Sequence, residues 1–241
     1  MVAIVGATGS GKSTLARLML GLFPADAGQV LLDETPMEER DLRILRSNCG
    51  IVAQDSVLCG GTILDNLTMY TPDASIDQVV DAAKIACVHG DIMRLPMGYH
   101  TPPGERGRGL SGGRLQRLAI ARAVVRSPRL LVLDEATSHL DTITEQRVHE
   151  NLDRLRCARI VISHRLSSIR HADHIIVMDG GAITQAGTQH ELVSTAGAYR
   201  DLAQAQGADW TRQADRTNQR GALNASGWAH QVCGPRPSPI G

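Results

Sequence analysis

The sequence is poor in aromatic residues, carries no excess charge and contains no long apolar run. Phe, Trp and Tyr make up only 2% of the 241 residues, which argues against a nucleic-acid surface built on base stacking. The 25 acidic side chains equal the 25 Lys and Arg side chains in number, so no global field favours nucleic acid or an anionic membrane. No apolar stretch approaches the ~20 residues of a membrane span. We therefore expect a chain that is soluble by itself and binds no nucleic acid.

The cysteine content and the length of the chain indicate its cellular compartment and the size of its core. The five cysteines are odd in number and scattered, without the spacing of a metal site. A reducing compartment, hence the cytoplasm, is the simplest interpretation. A chain of 241 residues is long enough to bury one large core, with or without a subdomain. The cysteines are Cys49, Cys59, Cys87, Cys157 and Cys233.

The first motif lies at the start of the chain, between a predicted strand and a predicted helix. Residues 2–5 are apolar and rich in β-branched types, which favours a buried strand, and residues 16–20 continue a helical pattern. The glycine-rich segment between them fits G-x-x-x-x-G-K-[ST], the phosphate-binding P-loop, in its required strand–loop–helix setting. The motif residues are Gly6, Gly11, Lys12 and Ser13.

These residue types suit the binding of a triphosphate. Glycines let successive backbone N–H groups converge on phosphate oxygens, and the helix N-terminus adds positive potential. The Lys12 ammonium can lie between the β- and γ-phosphates, and the Ser13 hydroxyl can bind Mg²⁺. The alternative is an ordinary glycine-rich turn. It is disfavoured because Lys12 and Lys84 are the only two lysines among 25 Lys and Arg residues.

Two further polar positions follow a predicted strand or precede a predicted helix. Residues 49–55 predict a strand that ends in polar residues, among them Gln54. Gln54 would either face a ligand crevice at the end of this strand or be an ordinary surface amide. Residues 62–95 are helical in pattern, and a Pro- and Gly-rich loop leads to Ser111 and two glycines before a helix over 114–126. Ser111 is a candidate anion contact or a simple N-cap.

The second half carries the candidate catalytic groups. Residues 130–135 form a continuous apolar run typical of a central parallel strand, and it ends in Asp134 and Glu135. Asp134 can hold Mg²⁺ and Glu135 can accept a proton from water, although two acidic residues also suit the first turn of a helix. Another buried strand, 159–164, ends at His164, which belongs to the same edge or is structural.

The remaining segments complete the predicted secondary structure. We predict a short strand at 29–33, a helical turn at 41–46, a helix over 144–156 and a hairpin with a Gly-Gly turn over 174–183. A helix is predicted over 189–206, followed by a disordered tail over 207–241. The tail contains Trp210 and Trp228 without an apolar face.

Taken together, the motifs resemble the nucleotide-binding domain of ATP-binding-cassette (ABC) transporters. The similarity runs from residue 2 to residue 206, in the family's order and spacing. The signature Leu-Ser-Gly-Gly separates this family from other NTPases that share the Walker A loop. The matching segments are Walker A (6–13), the Q-loop glutamine (Gln54), the signature (110–113), Walker B with the catalytic glutamate (130–135), the D-loop (138–141) and the switch histidine (His164).

The resemblance implies a fold and a subtype. It implies an α/β P-loop NTPase domain over 1–206, with a mostly parallel central sheet flanked by helices and an α-helical signature subdomain inserted over about 62–127. Residues 104–107 are similar to the loop that precedes the signature in exporters, which points to an exporter. The sequence begins at the P-loop strand, so we expect the family's N-terminal antiparallel β-subdomain, with its adenine-stacking aromatic residue, to be largely missing and the chain to be a fragment of a longer polypeptide.

It also implies a mechanism. In the family two such domains pack head to tail around two ATP molecules with Mg²⁺, each P-loop facing the partner's signature, and a transmembrane domain docks on the helical subdomain at the inner face of the membrane. Catalytic roles then fall to Glu135, His164 and Lys12, and metal contacts to Ser13, Gln54 and Asp134. The residues expected to contact ATP are Gly6, Ala7, Thr8, Gly9, Ser10, Gly11, Lys12, Ser13, Thr14, Gln54, Ser111, Gly112, Gly113 and Asp141.

Two residues depart from the family pattern. Arg114 stands where the signature has glutamine, and His139 replaces a small D-loop residue. Besides an exporter motor, two functions remain open. One is a non-transport cassette ATPase of DNA repair or translation, disfavoured because the interval from Lys12 to Ser111 leaves no room for a coiled coil. The other is a truncated module that binds ATP without hydrolysing it.

Overall fold

A computed structural model describes residues 1–104 and 110–206. A six-stranded sheet forms the centre, and a separate pair of two-residue strands lies beside it. The strands are β1 Val2–Gly6, β2 Leu31–Leu32, β3 Thr35–Pro36, β4 Cys49–Val52, β5 Leu130–Asp134, β6 Ala158–Ile162, β7 His174–Asp179 and β8 Ala182–Gly187. The helices are α1 Lys12–Met19, α2 Leu42–Ser47, α3 Ile63–Thr68, α4 Ile76–Ile85, α5 His89–Met93, α6 Gly112–Val124, α7 Thr142–Asp153, α8 Gln189–Ser194 and α9 Ala198–Ala205.

The central sheet is mostly parallel, as predicted. Its order is β4-β5-β6-β1-β7-β8, with every pair parallel except the final β7–β8 hairpin. The first strand of the chain therefore lies inside the sheet, between β6 and β7. Because strands adjacent in the sheet are distant in sequence, helices must cross over between them, and these crossovers cover both faces.

Alternate residues of each strand supply two apolar layers. Leu131 and Leu133 of β5 point to one face and pack in the large core, whereas Val132 packs on the other face with Ala16 and Leu20 from the α1 region. This two-sided burial explains why the strand is apolar at every position rather than at every second one. Each fully buried side chain of this size contributes roughly 1.5–3 kcal/mol relative to exposure.

The helical segment between β4 and β5 is continuous with the large core. Leu67 of α3, Val79 of α4, Ile92 of α5 and Leu118 of α6 are at most 1% exposed and belong to the same buried cluster as Leu131. Capping boxes start α3 and α4. The Thr62 hydroxyl accepts from the Asp65 N–H, and the Asp65 side chain accepts from the Thr62 N–H. Ser75 and Gln78 make the same pair of bonds. The predicted helical pattern over 62–95 is thus divided among three helices.

The structure corrects several element boundaries. The strand predicted over 29–33 is only Leu31–Leu32, because Asp33 and Glu34 adopt positive φ angles (49° and 64°) and fold the chain back onto Thr35–Pro36. The strand predicted to reach residue 55 ends at Val52.

The single helix predicted over 189–206 is wrong. Two helices occupy this segment, α8 and α9, separated at Gly197, whose φ is 154°. Residues with a side chain rarely adopt this φ angle, so glycine suits the break between the two helices. The Gln185 Oε1 then accepts from the Tyr199 N–H at 3.0 Å and caps the second helix.

The predicted hairpin is confirmed, whereas the predictions for the tail concern residues outside those described. The β7–β8 hairpin turns at Gly180 and Gly181 as predicted, with φ angles of 53° and 83°. Within residues 1–104 and 110–206, every helix is too short or too polar to span a bilayer. The predicted disordered tail over 207–241, its two tryptophans and most of the exporter-like loop at 104–107 lie outside the described residues.

Candidate functional site

The sequence motifs converge at one edge of the central sheet. Gly6 pairs with Met178, and Ile4 pairs with Ile162, which in turn pairs with Asp134. The carboxyl ends of the parallel strands are therefore level with one another. In an open α/β sheet, ligands bind in the crevice beyond this edge. The segments that follow these ends are the P-loop after β1, Gln54 after β4, Glu135 after β5 and His164 after β6.

The P-loop wraps around the Lys12 ammonium. Lys12 is 8% exposed, and its Nζ donates to the carbonyl oxygens of Gly6 (2.9 Å) and Ala7 (2.7 Å) and to Oγ of Ser10 (3.3 Å). The side chain thus turns back from the start of α1 into the loop. Ala7, Thr8, Gly9 and Thr14 are exposed around it. A cation fixed inside a ring of exposed backbone groups is suited to binding an anion.

Two contacts hold the loop in this shape. A Cβ at Gly6, whose φ is 152°, would lie 2.1 Å from the Met178 carbonyl oxygen, so only glycine permits this approach of β1 to β7. The N–H of Gly181, at the hairpin tip, donates to the Ser10 carbonyl at 3.2 Å. The β7–β8 hairpin therefore supports the P-loop, through a contact that the local motif does not encode.

Asp134 lies at the tip of β5, beside the start of α1. Its Oδ1 is buried without a hydrogen-bond partner, and the Ser13 side chain makes a hydrogen bond to the carboxyl group. Burial raises the pKa of Asp134, and the charge of Glu135 adds to this, whereas the bond from Ser13 acts in the opposite direction. A half-buried carboxylate with an oxygen free, beside a hydroxyl, fits the oxygen ligands that Mg²⁺ prefers. These two residues therefore fit a magnesium ion.

Glu135 follows with an unusual backbone conformation. Its φ is 53°, a left-handed geometry that costs a residue with a side chain about 1–2 kcal/mol. Its N–H donates to the Ile162 carbonyl at 3.0 Å, so the strand pairing with β6 continues into this turn. The side chain is 12% exposed, and both of its oxygens lie within 2.8 Å of Nδ1 of His164. The turn thus directs the carboxylate towards the end of β6.

The segment that carries His164 is fixed by its neighbours. The Gln206 side chain donates to the His164 carbonyl and accepts from the Leu166 N–H at 3.1 Å. Ser163 Oγ accepts from the Arg165 N–H at 2.9 Å. The His164 side chain itself is 59% exposed and open to a ligand. Gln54, exposed two residues beyond the end of β4, lies at the same sheet edge.

A second group of predicted residues lines an open concavity of about 370 Å³. It contains Ser111, Gly112 and Gly113 at the start of α6, together with Asp141. Among the described residues, no P-loop residue lines it. Ser111 caps α6 by accepting from the Arg114 N–H at 3.4 Å, so its predicted N-cap role is confirmed.

Asp141 is also a helix cap. Its Oδ1 accepts from the Thr144 N–H at 2.9 Å, and this backbone bond is the main reason that the pKa of Asp141 is lowered. The two caps line the same concavity. The segments that carry them are in close contact, since a Cβ at Gly113 would be 2.9 Å from the His139 carbonyl oxygen. His139, which departs from the family pattern, therefore packs directly on the signature glycines.

Two buried polar residues near the site were not predicted. Gln116 is 4% exposed and bonds to the backbone around Glu135. Glu145 is also 4% exposed, and its Oε1 accepts from Thr137 and Ser168, both at 2.7 Å. Glu145 thus joins the segment after Glu135 to the segment after His164. Both residues lie within predicted helices, and a polar side chain on the apolar face of such a helix is the sequence feature that could have indicated a buried hydrogen-bonding role.

Comparisons with known proteins identify a family. A family model described as ABC transporter matches residues 1–138. The chain is 43% identical over 204 residues to YknU, an "uncharacterized ABC transporter ATP-binding protein" of Bacillus subtilis, a match that covers 84% of this chain and 35% of YknU. It is 44% identical over 196 residues to the alpha-hemolysin translocation ATP-binding protein HlyB of Escherichia coli O157:H7, covering 80% of this chain and 28% of HlyB.

A solved structure gives the same result. It is described as a bacterial Atm1-family ABC exporter with ATP bound, and it matches with a TM-score of 0.83 and 42% identity. The match covers 86% of this chain and 37% of that one. The chain thus spans about a third of the length of the proteins that it matches.

Proposed function

This chain belongs to the ABC transporter family, and from that premise we propose that it is the ATP-binding and ATP-hydrolysing motor domain of an exporter. The observation that carries the proposal is the contact of Glu135 with His164, at the same sheet edge as the P-loop and Asp134. The exporter assignment is supported by the similarity to HlyB and to the Atm1-family exporter.

The P-loop would bind the triphosphate. The exposed backbone from Ala7 to Gly9 and the N-terminus of α1 would donate to phosphate oxygens, and Lys12 would exchange its loop carbonyl partners for the β- and γ-phosphates. Ser10, Gly11 and Thr14 belong to the same turn. The ring of donors is suited to a charge that spreads over several oxygens in the transition state.

Ser13, Asp134 and Gln54 are the residues that would hold magnesium. The free buried oxygen of Asp134 and its bond with Ser13 support this set, and Gln54 adds an exposed amide at the same edge. When bound, Mg²⁺ neutralises charge on the β- and γ-phosphate oxygens.

Glu135 would act as the general base. Its carboxylate would take a proton from the attacking water as the water oxygen bonds to the γ-phosphorus and the bond to the β-phosphate oxygen breaks, giving ADP and inorganic phosphate. A carboxylate oxygen accepts, so Nδ1 of His164 donates to it. This bond would hold the carboxylate in position.

Two partners complete the proposal. A second ABC ATPase domain, a copy or a homologue, would pack head to tail so that Ser111, Gly112, Gly113 and Asp141 meet its nucleotide; the open concavity at these residues supports this surface. A transmembrane domain would dock on the helical segment at the inner face of the membrane. Exposed apolar side chains on this segment, including Tyr70, Ile76 and Met93, support the second contact.

The test is hydrolysis of magnesium–ATP by the purified chain at increasing protein concentration. We expect turnover per chain to rise with concentration and Glu135→Gln to reduce it at least about 100-fold while ATP binding persists. Glu150→Gln serves as the control, because Glu150 is exposed on α7 and bonds only to Gln146 among the contacts described. ATP binding without any Glu135-dependent turnover would contradict the motor function and favour a module that only binds ATP.

A further inference from the structure

The Gln116 side chain connects α6 with the loop that follows β5. Its Nε2 donates to the Glu135 carbonyl at 3.2 Å and to Oγ of Ser138 at 2.9 Å. Its Oε1 accepts from the His139 N–H at 2.9 Å. The side chain is 4% exposed, so these bonds are shielded from water. Both ends of one amide are therefore committed to the segment 135–139.

One of these bonds stabilises the strained backbone turn at Glu135. Glu135 has a left-handed φ of 53°, and its carbonyl otherwise accepts only from the Ser138 N–H (3.2 Å) among the described residues. The Gln116 bond therefore helps to hold the turn that directs the Glu135 carboxylate at His164. Without the Gln116 donor this carbonyl would keep only the bond from the Ser138 N–H, and an acceptor placed opposite it would be repelled.

Residues Ser111–Gly113, which line the concavity, lie at the start of the same helix, about one turn before Gln116. Ser111 caps α6, and Gly113 packs against the His139 carbonyl at a distance that leaves no room for a Cβ. A displacement of Ser111–Gly113 would therefore move Gln116, which is on the same helix, and His139, which Gly113 contacts directly. The helix start and the Glu135 turn form one packed, hydrogen-bonded unit.

We propose that Gln116 is a positioning residue that couples the Ser111–Gly113 surface to the Glu135 carboxylate. The inference rests on the proposed function: in a head-to-tail dimer, Ser111–Gly113 would meet the partner's nucleotide, whereas Glu135 would act on the chain's own. Gln116 would then link the two nucleotide sites within each chain, and such coupling is reciprocal between the sites.

The key variant is Gln116→Glu, which keeps the size of the side chain. The carboxylate can still accept from the His139 N–H and from the Ser138 hydroxyl, but an oxygen now faces the Glu135 carbonyl in place of a donor. Ser138→Ala, which removes one hydroxyl partner and leaves the Glu135 bond, is the milder second variant and remains informative if Gln116→Glu does not fold.

Asn66→Asp is the matched control. Asn66 is a buried amide too, 1% exposed, whose Nδ2 donates to the Cys59 and Thr62 carbonyls and whose Oδ1 accepts from the Cys59 N–H. The substitution again turns a donor into an acceptor opposite a carbonyl. It does so within α3, and the hydrogen bonds described for Asn66 do not involve Glu135.

The experiment measures steady-state ATP hydrolysis by the full chain against ATP concentration, together with unfolding by denaturant. For Gln116→Glu we expect kcat to fall about tenfold and the Hill coefficient to drop towards one, while KM changes less than about twofold. Ser138→Ala should lower both quantities less. Asn66→Asp should lower the denaturant midpoint as much as Gln116→Glu without changing the Hill coefficient.

Each outcome bears on the proposal. Parental cooperativity and kcat in folded Gln116→Glu would overturn it, as would a Hill coefficient reduced equally in Asn66→Asp, because a general loss of stability would then explain the effect. A parent chain without ATP turnover would overturn the proposed function and this inference with it. A parent that hydrolyses ATP cooperatively but is indifferent to Gln116 would overturn this inference alone.

Discussion

Nδ1 of His164 lies 2.7 Å from Oε2 and 2.8 Å from Oε1 of Glu135. The two residues are 29 positions apart and follow neighbouring strands, β5 and β6. The ring nitrogen therefore bridges both carboxylate oxygens, and the carboxylate is held in a fixed rotamer. A base that is restrained in this way needs less reorganisation when it accepts a proton.

The first prediction concerns this contact. His164→Ala should lower kcat for ATP hydrolysis by about 10²–10³-fold, because the Glu135 carboxylate loses the hydrogen bond that holds it in position. The dissociation constant for ATP should change much less, since the P-loop is untouched. Steady-state kinetics and equilibrium ATP binding measure the two effects. His190→Ala, at an exposed position on α8, is the control, and equal losses of binding and turnover would argue against the assigned role.

A second prediction concerns the metal. Asp134→Asn should raise the Mg²⁺ concentration needed for half-maximal ATPase activity at least about tenfold, because the free Oδ1 carboxylate oxygen is replaced by part of a neutral amide. A magnesium titration at saturating ATP measures the change. Asp73→Asn, in an exposed turn, should behave as the parent. An unchanged magnesium requirement in Asp134→Asn would remove Asp134 from the metal site.

A third prediction concerns the packing of the P-loop. Gly6→Ala places a Cβ 2.1 Å from the Met178 carbonyl oxygen, so β1 and β7 must separate. We expect a loss of roughly 3 kcal/mol or more of unfolding free energy and weak ATP binding. Gly28→Ala also places a side chain at a positive φ, of 77°, but nothing lies within 4 Å of the new Cβ, and the variant should lose only about 1–2 kcal/mol. Denaturant unfolding of the two variants tests whether the clash, rather than the φ angle, matters.

A fourth prediction concerns pH. Burial lowers the pKa of His149 from its ordinary value of 6.5, although the charges of Glu145 and Asp153 oppose the shift. In the unfolded chain this imidazole takes up a proton as pH falls below 6.5, whereas in the folded chain it stays neutral to lower pH. Its contribution to stability is therefore complete above 6.5 and is lost as pH falls towards the folded-state pKa.

His149→Gln tests that assignment. The unfolding free energy of the variant should fall less steeply between pH 7 and pH 5 than that of the parent, with a difference in slope of at most about 1.4 kcal/mol per pH unit. Measurement at pH 8, where the imidazole is neutral in both states, isolates the effect of the substitution on packing. Parallel stability curves would show that another group governs the acid sensitivity.

The sequence alone determined the class of fold and the identity of most candidate site residues. Continuous apolar runs such as residues 130–133 are typical of strands buried on both faces, which favours a mostly parallel sheet covered by helices. The P-loop residues and the acidic pair were readable because their chemistry depends on residue types at fixed local spacing. Residues 189–206 form two helices, α8 and α9, rather than the single predicted helix, and the chain breaks at Gly197, whose φ is 154°.

Only the tertiary structure decided which of those residues touch one another. Strand order puts Glu135 against His164 and the hairpin tip against Ser10, and no local pattern specifies either pairing. Gln116 and Glu145 were invisible as site residues for the same reason: their hydrogen-bond partners lie up to 23 residues away in sequence. Periodicity reports which face of an element is buried, but strand order and helix packing select the groups that the buried face meets.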